Sequence, residues 1–258
     1  MSLSSGKEPE ANYLPHQTPG GPRGWLVTRS QERKVALIRP WVGAGKLVDI
    51  GCGSGGFMDV WRRMYPGDRV VGIESSPHAV EEARNRGLEV LETDLGAALP
   101  EEARGGALYT LWHVMEHLED PVSVLRNIRE TMAGEGKIVL VVPNAAAAER
   151  YLFGAHTVAW DPPRHRWHFT PEGLTGLLGV TGLRALERFN LVSDDLYDAV
   201  ASLQWILYPR VWVDPASVKG RLATGLALAG GAPVGLLLAG LSPWRQRASL
   251  GMVLARAV

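Results

Sequence analysis

The chain has 258 residues, enough for one sizeable domain with an insertion or a small appendage. Its 27 basic and 27 acidic side chains cancel, and there is no long basic run, which argues against nucleic acid as an electrostatically captured partner. The only cysteine is Cys52, so no disulfide forms within the chain.

Residues 1–24 are polar and rich in glycine and proline, without a hydrophobic signal core. They read as a flexible segment, or as a lid if Tyr13 to His16 fold over a site. A core is expected over residues 25–194. Its first strong element is Leu47-Val48-Asp49-Ile50, an apolar run that stops at a cluster of glycines. That pattern predicts a buried strand entering a tight turn close to a ligand. Gly51, Gly53 and Gly56 satisfy the G-x-G-x-x-G spacing of nucleotide-binding turns, a weak signal alone. Val70 to Glu74 is a second short strand ending in an acid, and Ser76-Pro77 has the N-cap and first-position residues of a helix. Strands are also predicted over Leu88 to Leu95, Ala107 to His113 and Lys137 to Asn144, with a helix opening at Asp120-Pro121. Strands alternating with helices predict an α/β fold, a largely parallel sheet covered on both faces.

Asp49 discriminates between ligands. A carboxylate two residues before the first glycine would repel a pyrophosphate on the following loop. It suits a ligand that brings positive charge, as S-adenosylmethionine (SAM) does through its amino group and sulfonium. Glu74, 25 residues later, is placed to accept from ribose hydroxyls, and Asp94 from the adenine amino group. A dehydrogenase shares the glycines and the second acid but leaves Asp49 unexplained.

With these residues in hand, the chain resembles the class I SAM-dependent methyltransferases, in particular the bacterial branch related to the ubiquinone-biosynthesis O-methyltransferases. The stretches concerned are V-D-I-G-C-G-S-G-G-F, V-G-I-E-S-S-P, L-W-H-V-M-E-H-L-E-D-P, and V-V-P-N followed by D-P-P-R-H-R-W-H-F-T-P-E, within residues 46–183. The resemblance implies a doubly wound, seven-stranded mixed sheet of Rossmann-like type. It implies that Asp49, Gly51 and Gly53 hold the methionine end, Glu74 the ribose and Asp94 the adenine, with His113 near the sulfonium and Cys52, Ser75 and Leu95 among the cofactor-binding residues. Cys52 is expected as a small packing residue.

His113-Val-Met-Glu116-His117 has the H-x-x-E-H order of an inverted zinc-protease helix, but the next helix begins too soon to leave room for it. The ubiquinone-biosynthesis relatives can hold a divalent cation here with E-x-x-E-H. In this chain the first acid is replaced by His113, so Glu116 and His117 are read as shaping the pocket and no metal is expected. The stretch from Trp160 to Thr170 is the expected catalytic loop, with Thr170-Pro171 capping a helix after it. His165 and His168 are the candidates to take the acceptor's proton, with Arg164 available for an anionic group. The opposing reading has both histidines pinning the loop through backbone carbonyls.

Leu183 to Val192 reads as a sixth strand and Ala248 to Ala257 as an antiparallel seventh, closing the core over 247–258. Between them lies an apolar helical insertion, residues 195–246, uncharged from Leu222 to Trp244. Gly230-Gly231-Ala232-Pro233 is expected to break that run into two short helices. Such a hairpin would pack on the body or across a homodimer, or lie on a membrane with Arg210, Lys219, Arg221 and Arg245 toward anionic headgroups. The expectation is a cytoplasmic enzyme, peripheral at the inner face of the membrane in the last case. It would methylate a hydroxyl of a small-molecule or lipid-linked acceptor. The competing reading is a non-catalytic SAM-binding, membrane-associated interaction protein.

Overall fold

A computed structural model describes residues 21–96, 98–157, 159–207 and 218–256. Tyr13 to His16, and with them the expected lid, lie outside the described residues, as does Arg210. The first half runs α1 (Gly21–Ile38), β1 (Leu47–Ile50), α2 (Gly56–Met64), β2 (Val70–Glu74), α3 (Pro77–Asn85), β3 (Glu89–Glu92), β4 (Leu108–Trp112) and α4 (Pro121–Thr131). The second half runs β5 (Lys137–Pro143), α5 (Glu149–Phe153), α6 (Pro171–Thr181), β6 (Leu183–Phe189), α7 (Val192–Leu207), α8 (Val218–Leu241) and β7 (Ser249–Arg256). The strands form one seven-stranded sheet in the order β3-β2-β1-β4-β5-β7-β6. β6 and β7 are antiparallel, which makes the sheet mixed, as expected.

Burial explains which runs became strands. β1 and β2 are buried at every residue and β5 at its five central ones, so they read as continuous apolar runs rather than alternating ones. β3 and β6 lie at the sheet's two edges and carry exposed charged residues, the usual protection of an unpaired edge. Two strands are shorter than the sequence suggests. β3 covers only Glu89–Glu92 of the stretch from Leu88 to Leu95, and β6 stops at Phe189 because Val192 already opens α7.

The chain divides into two compact units, with the division inside β5. In the first, β1 pairs in parallel with β2 and with β4, placing Asp49 opposite both Gly72 and Thr110. Phe57, Met58, Val60 and Trp61 of α2 and Val35 and Ile38 of α1 are buried in it. α1 begins at Gly21, inside the stretch read as a flexible segment. Ser76 caps α3 by accepting from the Ala79 N–H, with Pro77 at the first helical position.

The second unit holds β6, β7 and α5 to α8. Thr170 caps α6 by accepting from the Gly173 N–H. Asp195, buried near the start of α7, accepts from Nε and Nη2 of Arg247 and from the Ala248 N–H. The insertion departs from the expected broken run. α8 is one 24-residue helix that passes through Gly230, Gly231 and Pro233, and its antiparallel-hairpin partner is α7. The glycines serve contact instead of breakage. A Cβ at Gly231 would stand 2.7 Å from the Val200 Cα and 2.9 Å from the Ala199 carbonyl oxygen, and one at Gly235 2.7 Å from the Asp195 carbonyl oxygen. Only glycine admits α7's main chain so closely. Ala227, Gly231 and Gly235 are therefore buried, four residues apart, while Leu222, Leu226, Leu228, Leu236, Leu237 and Leu241 are exposed.

Candidate active site

The site residues fall into two groups, one in each unit. The first group begins at Asp49, near the carboxyl end of β1 and only 2% exposed. Thr110 of β4, the neighbouring strand, donates its hydroxyl to Asp49 Oδ1 at 2.6 Å. Burial pushes the Asp49 carboxyl up to about 7 from an ordinary 3.8, against the opposing hydrogen bond from Thr110 and the attraction of Lys34. A ligand cation beside a carboxyl so placed would favour its ionised form.

After β1 the main chain turns through Gly51, Gly53 and Gly55, at φ of 67°, 54° and 80°. All three are left-handed, where a side chain is strained. The third required glycine is thus Gly55, not the Gly56 of the spacing motif. Gly56 merely opens α2, and a Cβ there would meet nothing within 4 Å. Glu74 fixes the turn. Its Oε2 accepts from the Gly53 N–H at 2.9 Å, and its Oε1 accepts from the N–H groups of Ser75 and Ser76 at 2.8 and 2.9 Å. A carboxylate has about four lone-pair directions, so Oε2 keeps one to offer. Cys52 is buried, and its sulfur would lie 2.6 Å from a Cβ at Gly72. Burial raises its thiol well above the ordinary value, which fits the packing role expected of it. Asp94 is exposed beyond β3, with Oδ1 accepting from the Gly96 N–H, and Leu95 follows it half-buried.

Asp49, Glu74 and Asp94 follow one another at the carboxyl ends of β1, β2 and β3. This donor-poor, acceptor-rich edge fits SAM, which presents an ammonium group, two ribose hydroxyls and an adenine amino group, all donors. It does not fit a pyrophosphate.

The second group starts where β4 ends. His113 has φ of 56°, the one left-handed residue other than glycine among the described residues. Strain of that kind is kept where surrounding bonds hold it. Its N–H donates to the Val141 carbonyl, and its Nε2 lies 3.1 Å from Asp194 Oδ2. Burial alone would depress the imidazole, but Asp194 and then Glu116 outweigh it and carry His113 up to about 10. Met115–His117 is a single 3₁₀ turn, too short for the protease helix, as the spacing implied. The loop carrying the two candidate histidines is stitched to this turn. Arg166 and Trp167 donate their N–H groups to the Glu116 carbonyl, and the Trp167 indole donates to the Leu118 carbonyl. His165 Nδ1 lies 2.9 Å from the Ala159 carbonyl, and His168 Nε2 lies 2.9 Å from the Trp160 carbonyl. Each histidine thus pins the loop with one ring nitrogen and keeps the other. Arg164 is paired with Asp161 at 2.7 Å.

Sequence reasoning missed three members. Thr110 sits in an apolar strand and is revealed only by pairing with β1. Gly55 lay one residue from the motif position. Asp194 is 81 residues from His113 and carries no motif.

A family model described as "Methyltransferase domain" matches residues 26–188. The mitomycin biosynthesis 6-O-methyltransferase of Streptomyces lavendulae is 30% identical over 145 residues, which are 52% of this chain and 39% of that protein. The ubiquinone biosynthesis O-methyltransferase of Xanthomonas oryzae is 28% identical over 132 residues, 48% of this chain and 54% of that protein. The chain therefore spans only about half, or less, of the length of these curated relatives. The solved structure of mitomycin 7-O-methyltransferase MmcR superimposes with a TM-score of 0.56 at 20% identity, covering 91% of this chain and 55% of that one; at such identity the likeness shows the fold alone. The family match takes in well over half of the sequence, including every acid of the first group, so the chain belongs to the methyltransferase-domain family, with S-adenosylmethionine as its cofactor.

Proposed function

We propose that the protein transfers the methyl group of SAM to a hydroxyl of a small or lipid-linked acceptor. The observation that carries this reading is Asp49, a buried carboxyl at a strand end beside a left-handed glycine turn. In this reading Asp49 takes the ammonium group, with Gly51, Cys52 and Gly53 around the methionine end. Glu74 offers its remaining lone pair to the ribose, with Ser75 beside it, and Asp94 and Leu95 face the adenine. Of His113 only the main chain is left for the cofactor role assigned to it near the sulfonium, because its imidazole is committed to Asp194. On the acceptor side, His168 is the proton acceptor. His165 is mostly buried and turns its Nε2 toward Asp161, 4.0 Å away, whereas His168 is exposed with Nδ1 open.

The chemistry asked of the chain is modest. SAM supplies an activated methyl group. The protein must hold the acceptor oxygen in line and remove its proton, and positioning alone contributes much of the rate. Calorimetry with SAM, its demethylated product and NAD tests the cofactor site; binding of NAD with SAM ignored sinks the reading. Labelled SAM incubated with a cell extract tests transfer, since only an enzyme labels an acceptor. His168→Ala should lower turnover by roughly 10²–10⁴-fold and leave SAM affinity unchanged. Full turnover in that variant would place the base elsewhere.

The acceptor's chemistry is proposed from α8. Small residues facing in and leucines facing out invert the pattern of a helix surrounded by water, and match helices surrounded by lipid. The segment Thr224–Leu241 is also long and apolar enough to cross a membrane by length and composition. We assign this face to an anionic membrane surface at the cytoplasmic side, which would present a lipid-linked acceptor. Wild-type protein should co-sediment with anionic vesicles, and Leu226→Ser/Leu237→Ser should not. A dimer by light scattering that ignores vesicles would assign the face to a second copy and leave a soluble acceptor.

A further inference from the structure

Glu149, the first residue of α5, is 1% exposed, and neither of its carboxylate oxygens has a hydrogen-bond partner. α5 packs on α7, which carries Asp194, Asp195 and Asp198 in its first two turns. The cations that face these four carboxyls are His113 and Arg247, and both are already committed. His113 Nε2 lies 3.1 Å from Asp194 Oδ2, with Glu116 Oε1 3.6 Å from its other ring nitrogen. Arg247 holds Asp195 through Nε and Nη2. The balance at the two remaining carboxyls is therefore repulsive. Burial raises Glu149 from 4.5 to about 7, and among the charges around it the repulsion of Asp195 exceeds the attraction of Arg247. Burial and then Asp194 raise Asp198 well above the ordinary carboxyl value; His113 opposes them less strongly, and Glu149 and Asp195 add to the repulsion. Asp194 and Asp198, one turn apart on α7, are half-buried and reachable from solvent. A closed, unpartnered carboxyl set against such a pair calls for a further cation.

We propose that Asp194, Asp198 and Glu149 receive an organic ammonium group carried by the methyl acceptor. Among the described residues, no three of these carboxyls bring one oxygen each within 4.8 Å of one another, the convergence that a metal ion needs. Acceptors spread more widely suit a larger cation with several N–H donors, as an amine presents. The place of this group in the reaction rests on the methyl-transfer reading, in which His113, the partner of Asp194, is assigned near the sulfonium. The ammonium is then a handle and not the nucleophile. The acids around it favour its protonated form, and a protonated nitrogen has no lone pair with which to attack the methyl group. Transfer therefore goes to the hydroxyl of the same molecule. The acceptor is an amino alcohol or an amine-bearing phenol, free or lipid-linked, and the acids select it against neutral alcohols of the same shape, which would leave the cluster without a counter-ion.

The test uses the full chain, labelled SAM, and the small-molecule and lipid fractions of a cell extract, half of each treated with acetic anhydride to cap amines. From the untreated fractions, wild type should label a product that a cation exchanger retains at neutral pH. From the capped fractions it should label at least about tenfold less, because the buried acids are then left unpaired. Asp198→Asn and Glu149→Gln should each lower labelling at limiting acceptor by about tenfold or more, with SAM affinity by calorimetry unchanged. Glu81→Gln, on the exposed side of α3, should change nothing. Asp198→Asn should not lower the melting temperature, since it removes a carboxyl that burial and like charge disfavour; a merely structural role would lower it. Labelling that survives capping, or that both variants keep, overturns the ammonium site and leaves methyl transfer standing. Variants that lose SAM affinity together with labelling give the acids to the cofactor's own cation and overturn it as well. No labelling of any fraction by SAM-competent wild type sinks the methyl-transfer reading, and the ammonium site with it.

Discussion

Asp49→Asn should make the free protein more stable and the cofactor complex weaker, by amounts that depend on pH. Burial raises the Asp49 carboxyl from 3.8 to about 7. A raised carboxyl keeps its proton in the folded state while the unfolded chain loses it, so stability falls as pH rises from about 4 to about 7. The full cost above that window is about 4 kcal/mol, at roughly 1.4 kcal/mol per pKa unit. Asparagine removes this cost. Its oxygen can still accept from Thr110, but its amide group is a new buried donor, which costs about 1–3 kcal/mol if unpaired. That penalty is the same at every pH and cancels in a comparison. The advantage of the Asp49→Asn variant should therefore grow by about 2–3 kcal/mol between roughly pH 5 and pH 8. Urea unfolding of both proteins at the two pH values, without SAM, measures it. Calorimetry should show SAM weakened by about 1.5–3 kcal/mol, the range for hydrogen bonds to a charged group. A substitution that shifts stability equally at both pH values and leaves SAM affinity intact would refute both the burial argument and the assignment to the ammonium group.

Three further outcomes are open to thermal or chemical unfolding. Gly55→Ala should destabilise by at least about 1–2 kcal/mol from its left-handed backbone, and more because the new Cβ would overlap Leu88 Cδ1; Gly56→Ala should be neutral or stabilising by about 0.5–1 kcal/mol, and the reverse order would restore the spacing motif. Gly235→Leu should cost about 1–3 kcal/mol or more by driving α8 off the α7 main chain, whereas Gly240→Leu, with nothing within 4 Å, should cost little. Arg247→Met should destabilise by about 3–5 kcal/mol because it strands the buried Asp195 carboxylate; an effect below about 1 kcal/mol would mean that water reaches Asp195.

Much of the sheet was legible because its inner strands are buried on both faces, so Leu47–Ile50, Val70–Glu74 and Lys137–Pro143 each announce themselves as apolar runs. Helix starts were legible wherever a capping hydroxyl preceded proline, as at Ser76-Pro77 and Thr170-Pro171. The acids at strand ends were legible because β1, β2 and β3 each end within a residue or two of one. The failures have a common physical origin in contacts between distant segments. Glycine reads as a helix breaker in isolation, yet in α8 it is selected by the backbone of α7 lying against it. The carboxylate that holds His113, Asp194, is a local accident of sequence until the chain is folded. A Gly-Gly pair such as Gly55-Gly56 does not say which member bears the left-handed turn until Leu88 is packed beside it.

The three main-chain donors that Glu74 satisfies give its strand-end turn a further consequence. The turn keeps its shape without a ligand, so little ordering has to accompany occupancy. On the proposed assignment, none of Asp49, Glu74 or Asp94 touches the methyl group itself. The spent form of the cofactor would keep the same contacts as the fresh one and lose only a methyl and a formal charge. Such an enzyme is prone to inhibition by its own product, and its rate in a cell follows the ratio of the two forms more closely than the amount of either. Its throughput would then be set by whatever reaction clears the spent cofactor.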